Sequence, residues 1–146
     1  ECRRNLFTIW LDYQKAFNSV SHEWLIHALR LAKIPSKIVS SIEKLSKSWA
    51  TILHLSGESL SVKCDTIRYN KDIFQGDSLS VILFVLTLNP LSTLLQKNKG
   101  YGLDHDRDIQ QTHHFFCRRL KVVWLQWKNI KKQLDMVTVF SKDIGM

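Results

Sequence analysis

Three stretches of this chain carry residue types that could do chemistry. Asp12 closes the apolar run LFTIWL, Leu6 to Leu11, so a carboxylate stands at the C-terminal end of a strand. A carboxylate there is costly to desolvate unless it is paired or binds a metal, and oxygen donors suit a hard cation. Phe17 follows five residues on. The second stretch is Gln75-Gly76-Asp77-Ser78, a glycine turn feeding a helix start. Asp77 or Ser78 can cap that helix, and backbone N–H groups at such a start suit an anion. The third is His113, His114 and Cys117, soft ligands without a second pair at metal-binding spacing. Adjacent histidines on a strand point to opposite faces, so a solvated or core role is the simpler reading.

The elements that position these groups follow from periodicity. Leu6–Leu11 reads as a buried strand ending at Asp12. Ser21 caps a helix carrying Trp24, Leu25, Ala28, Leu29 and Ala32, which Pro35 stops. Ser36 starts a second helix with Ile38, Val39, Ile42, Leu45 and Trp49 along one stripe. Thr51 to Leu55 alternates like a strand, Ser56-Gly57 turns, and Ser61 to Tyr69 supplies one or two more strands. The long apolar helix from Asp77 is expected to bury Leu79, Ile82, Leu83, Leu86, Leu91, Leu94 and Leu95, with Pro90 kinking or splitting it. Gly100 and Gly102 break the chain, Asp104 to Gln111 is a polar loop, Thr112 to Val123 forms a hairpin, and Lys128 to Val139 is a helix followed by a short strand or loop. This irregular alternation predicts an α+β fold with an antiparallel sheet packed on helices.

The totals bound the class. The chain has 146 residues, with Lys plus Arg 21 against Asp plus Glu 13 and a net charge of +8, which suits a polyanionic partner such as nucleic acid. Arg3, Arg4, Lys15, Lys44 and Lys47 are candidate phosphate contacts or solvated surface charges. Trp124 and Trp127 with Lys121 and Lys128 are candidate base-stacking and phosphate groups, or core residues. Three cysteines without CxxC spacing argue against a disulfide framework and against structural zinc. The longest apolar run, Val81 to Leu88, is shorter than the roughly 20 residues that span a bilayer, and the N-terminus does not resemble a signal peptide. The expectation is therefore an intracellular chain, nuclear or cytoplasmic, with no membrane partner, and a fragment of something longer.

LDYQKAFNSVSHEWL (11–25), FQGDSLSVILF with NPLS (74–92), Gly100-Tyr101 and VFSKDIGM (139–146) resemble, in order and spacing, the reverse transcriptases of non-long-terminal-repeat retrotransposons. The resemblance implies that residues 1–146 are a partial reverse transcriptase domain, the palm of a right-hand polymerase with part of the fingers. It implies RNA-directed DNA synthesis by two-metal nucleotidyl transfer, with Mg²⁺ as cofactor and an RNA template, a DNA primer and deoxynucleoside triphosphates as partners. Asp12 matches the metal-binding aspartate, the Tyr13 carbonyl an accessory ligand, Phe17 the aromatic gate beside the incoming sugar, and Gln75 and Gly76 the turn against nucleotide and template.

The chain departs from that pattern. Asn18 stands where Asp is usual, and Ser21 and Val81 where Pro is frequent. After THHFF (112–116), where the family carries an x-Asp-Asp hairpin, this chain reads Cys117-Arg118-Arg119. Arginine stays protonated and cannot ligate Mg²⁺, and the exchange changes the local charge by about four units. Taken as written, the chain should not polymerise. A basic RNA- or DNA-binding remnant without catalysis is the alternative, and an unselected translation product the third reading. One genetic account fits the letters. FFCRRLKVVW (115–124) can be encoded so that the same bases, read one nucleotide later from the cysteine codon, spell Val-Asp-Asp-Leu-Lys-Leu-Phe-Gly. A second, compensating shift before about Lys128 would restore VFSKDIGM. On that account Leu120–Trp127 has no evolved role and should pack poorly, which leaves the fold marginally stable.

Overall fold

The structure is a computed structural model that describes residues 6–56, 61–97, 101–102, 110–116, 119–124 and 127–145. The expectations for Cys2, Arg3, Arg4, Gly57, Gly100, Asp104 to Ile109, Cys117 and Arg118 lie outside these residues. So do those for the side chains of Trp124, Trp127 and Lys128.

The apolar run forms β1 (Phe7–Asp12), and the chain turns through Lys15 into the short helix α1 (Ala16–Ser19). Next come α2 (His22–Leu31), α3 (Ser36–Ser48) and four short strands, β2 (Ala50–Thr51), β3 (His54–Ser56), β4 (Ser61–Lys63) and β5 (Ile67–Arg68). The long helix α4 (Ser78–Gln96) is followed by β6 (Tyr101–Gly102), β7 (Gln110–Gln111), β8 (His113–Phe116), β9 (Arg119–Trp124) and α5 (Trp127–Asp143). The main sheet has three antiparallel strands in the order β1-β9-β8, and the others pair as the two-stranded ribbons β2-β5, β3-β4 and β6-β7. The result is mixed α+β, with antiparallel strands packed against helices.

One face of the main sheet is dry. Ile9, Val122 and His113 share one cross-strand row, and Leu11, Leu120 and Phe115 the next. These rows pack on a core of Val20, Leu25, Leu29, Phe84, Leu88, Leu91, Ile130 and Phe140. At about 25 cal/mol per Å² of apolar surface, burial of this kind is the main force holding the layers together. The hydroxyl of Ser92 on α4 sits 2.7 Å from His113 Nε2, which ties β8 to that helix. Burial, and then the neighbouring His114, hold the His113 imidazole below its ordinary pKa. β1 is half-buried rather than buried: alternate side chains face solvent, because no element covers the other face among the described residues.

α2 begins as expected, with Ser21 Oγ accepting from the Trp24 N–H at 3.1 Å. The expected stripe of α3 is corrected. Val39 and Ile42 are buried, but Ile38 and Leu45 are exposed. Trp49 ends that helix and turns its ring onto Phe74, 5.1 Å away. Asp77 is the cap of α4, accepting from the Leu79 N–H at 3.0 Å.

The buried face of α4 is also corrected. Leu83, Phe84, Thr87, Leu88, Leu91 and Leu95 are inside, while Leu79, Ile82 and Leu94 are exposed. This helix is apolar nearly all round, so its periodicity does not choose a face. Contacts choose it: Phe84 stacks on Phe17 at 4.5 Å, and the Thr87 hydroxyl bonds the Phe84 carbonyl at 2.7 Å. Pro90 does not split the helix. The Trp24 indole donates to the Thr87 carbonyl at 3.1 Å, an added donor in the stretch where proline removes one. By length and composition α4 could cross a membrane, with a mean hydropathy of 1.9, which the short run Val81–Leu88 understates. Leu83, Leu88, Leu91 and Leu95 of this helix pack in the core.

Three further expectations change. Gln110 and Gln111 form a strand rather than a loop. The last helix runs on to Asp143, so Phe140–Asp143 is neither strand nor loop. Leu120, Val122 and Val123 are buried instead of poorly packed. The reason is visible in the letters: positions 120 and 122 are apolar both in this chain and in the alternative reading Leu-Lys-Leu. The alternation that makes a strand survives either way.

Candidate functional site

Asp12 and Arg119 face each other. The antiparallel register of β1 and β9 makes them Cα partners, and Arg119 Nε lies 3.8 Å from Asp12 Oδ1. Both side chains are about half exposed, so the attraction is largely screened by water. Asp12 is thus not desolvated at the strand end as expected: it is a solvated carboxylate in a surface ion pair. Arg119 has only donors to offer and cannot ligate a cation. Among the described residues, no three His, Cys, Asp or Glu side chains gather as a metal would require. The residues present do not fit a two-metal centre.

Tyr13 leaves the sheet at the next position and sends its hydroxyl to the Ser141 hydroxyl of α5, 3.1 Å away. Burial pushes the Tyr13 phenol above its ordinary pKa, and the bond to Ser141 partly offsets that.

Phe17, Gln75 and Gly76 come together, although 58 residues separate the first two in sequence. With Lys15, Asp77 and Ser80 they line a cavity of about 280 Å³. The cavity exists because two backbone segments are held side by side. The Ile73 N–H donates to the Phe17 carbonyl at 3.1 Å, and the Asp72 N–H to the Val20 carbonyl at 3.0 Å. Asn18 Nδ2 donates to Asp72 Oδ2 at 3.2 Å, and His22 Nε2 to the Asp72 carbonyl at 3.0 Å. The Ser80 hydroxyl bonds the Phe74 carbonyl, closing the turn over the start of α4. Trp49 and Tyr69 pack their rings on Phe74 and hold the turn from the other side.

Gly76 sits at φ +101°, where a side chain is strained, while nothing within 4 Å would meet an added Cβ. The glycine is needed for backbone conformation, and the open space beside it belongs to the cavity. Phe17 is half-buried, stacked on Phe84, and lines that space. Arg118 lies outside the described residues.

Sequence reading missed Asp72, and it gave Lys15 only as a candidate phosphate contact or solvated surface charge. Both have positive φ, +108° for Asp72 and +50° for Lys15, and no side-chain pattern announces that. Asp72 Oδ1 is buried with no hydrogen-bond partner. The separation between the Phe17 and Gln75 segments, bridged only by long-range contacts, explains why their shared cavity was not legible.

No family model matches the chain. Distant, partial similarity links it to Pol polyproteins of R2 retrotransposons. It is 32% identical over 98 residues, 67% of its length, to the "Retrovirus-related Pol polyprotein from type-1 retrotransposable element R2" of Nasonia vitripennis. It is 36% identical over 84 residues, 58% of its length, to the protein of the same description from Bradysia coprophila. In each case the match spans 9% of the relative.

Proposed function

We propose that this chain is a piece of the reverse-transcriptase region of a retrotransposon Pol polyprotein, with a palm built around β1, β8 and β9, and that it no longer polymerises. The ancestral reaction on this reading is RNA-directed DNA synthesis with two Mg²⁺, from an RNA template, a DNA primer and deoxynucleoside triphosphates, inside the cell. The similarity to the R2 Pol polyproteins supports the ancestry. The single observation that carries the loss of activity is the register Asp12↔Arg119 with its 3.8 Å ion pair. A fixed positive charge stands across the sheet from the carboxylate that should hold the cations. A guanidinium keeps that charge at any working pH and offers a cation no ligand.

The surviving cavity agrees with the rest of the reading. Phe17 and the Gln75-Gly76 turn share one space with the ammonium-bearing Lys15. On this proposal that space is what remains of the nucleotide site.

Primer extension on an RNA template with Mg²⁺ tests the activity claim. The expected result is no extended product from the chain, and none from Arg118→Asp with Arg119→Asp, since the chain spans a small part of its relatives and template grip is shared with the rest. Extension by the unaltered chain overturns the proposal. The genetic account is tested by the nucleotide sequence across codons 112 to 130. An Arg118 codon other than AGA or CGA excludes the shifted reading from these bases.

The net charge of +8 favours a second reading, a nucleic-acid-binding remnant without catalysis. Binding that weakens steeply as salt rises is its signature.

A further inference from the structure

The face of the β1-β9-β8 sheet opposite the core has not been given a role. Its rows follow from the register. Trp10, Lys121 and His114 stand side by side across the three strands, and Asp12 and Arg119 occupy the next row. Trp10 is 60% exposed. Lys121 Nζ lies 5.0 Å from the centre of its ring. A lysine at that distance holds the indole in place and adds a positive charge at its edge.

Trp10 leaves an aromatic ring open to a ligand on this face of the sheet. The charge beside it argues for the chemistry of that partner. Asp12 is answered by Arg119, which leaves Lys121 as excess positive charge on the face, in a chain of net charge +8. Adjacent rows of a sheet are spaced so that successive unpaired bases can lie across it. Aromatic rings then take the bases while cations take the phosphates.

We propose that this open sheet face binds a single-stranded polynucleotide, with Trp10 stacking on a base and Lys121 contacting a backbone phosphate. The inference rests on the nucleic-acid part of the reading above. It needs neither metal nor polymerisation.

The test is the affinity of the whole chain for a fluorescein-labelled oligodeoxythymidine, read by anisotropy against salt, with an equal-length duplex alongside. The expected result is binding of the single strand in preference to the duplex. Trp10→Ala should weaken it about tenfold, the scale of one lost stacking contact, with Trp10→Phe recovering part of the loss. Lys121→Met should lower the slope of log affinity against log salt by about one phosphate contact. Trp10 is exposed, so neither change should alter the circular dichroism. Equal affinity in Trp10→Ala and the unaltered chain overturns the proposed face while leaving nucleic-acid binding elsewhere intact. No binding to either oligonucleotide overturns the face together with the nucleic-acid reading. A dimer that Trp10→Ala dissolves, with oligonucleotide affinity unchanged, assigns the face to a second copy and also overturns the proposal.

Discussion

Arg119 and Leu120 are neighbours with opposite fates. Arg119 points to water and pairs with Asp12 at 3.8 Å, while Leu120 is fully buried between Leu11 and Phe115. Removing an exposed ion pair costs at most about 1 kcal/mol, whereas emptying a buried leucine position costs about 2–5 kcal/mol. Arg119→Ala should therefore barely shift the urea midpoint, and Leu120→Ala should lower it strongly. Equal losses would make the ion pair structural, contrary to the exposure of both groups. Tyr13 gives a second expectation at this scale. Its phenol is held above the ordinary value of 10.0 by burial in the fold. In alkali the unfolded chain loses that proton first, so this group's contribution is complete below about pH 10 and is lost as pH rises through the higher folded value. Tyr13→Phe should flatten the fall in melting temperature above about pH 10, measured by difference from the unaltered chain. It should also cost about 1 kcal/mol at neutral pH for the lost bond to Ser141. An unchanged alkaline slope would place the phenol in water.

The start of α4 is where local chemistry and site geometry meet. Asp77 caps the helix, Gly76 supplies a backbone conformation at φ +101°, and Ser80 ties the first turn back to Phe74. Asp77→Ala should cost about 1 kcal/mol, and Asp77→Asn much less, because the amide oxygen still accepts from Leu79. Gly76→Ala should cost about 1 kcal/mol or more through strain alone, since space is open around it. Thermal unfolding of the three variants checks the order. If Gly76→Ala proves neutral, the turn is not held at positive φ in solution. The same turn is clamped by Trp49, Tyr69 and the Asn18–Asp72 bond. The cavity beside it is thus a product of element packing and not of one loop.

For the whole molecule, the core joins β1, α2, α4, β9 and α5 in one cluster that includes Ile9, Leu29, Phe84, Leu120 and Phe140. A core shared this widely should unfold as one unit. Tryptophan fluorescence, which reports on Trp24 and Trp49 among others, and far-ultraviolet circular dichroism should give coincident thermal transitions. Separated transitions would mean that the hairpin of β8 and β9 melts apart from the helices, as a strand without evolved packing would. The sheet of this chain accommodates Arg119 because strand formation asks only for alternation, and Leu120 and Val122 supply it.

The residues alone determined the strand ending at Asp12, the caps at Ser21 and Asp77, the hairpin before and after Cys117, and the fixed positive charge of Arg118-Arg119, which stands where the resemblance implies carboxylates. Each of those is local: a period of two, a capping side chain, or the fixed charge of a guanidinium. Tertiary structure decided which side of α4 is buried, since a helix apolar all round carries no periodic preference and Phe17 on Phe84 supplied one. It also decided that Asp12 meets Arg119, because register across a sheet depends on pairing between strands more than 100 residues apart. The meeting of Phe17 with Gln75 and Gly76 was decided in the same way, by backbone bonds from Asp72 and Ile73 that no local pattern encodes. Trp10 was left in the open for a related reason: among the described residues every core helix packs on the other face of its sheet, so exposure there is a property of the assembled layers rather than of the strand.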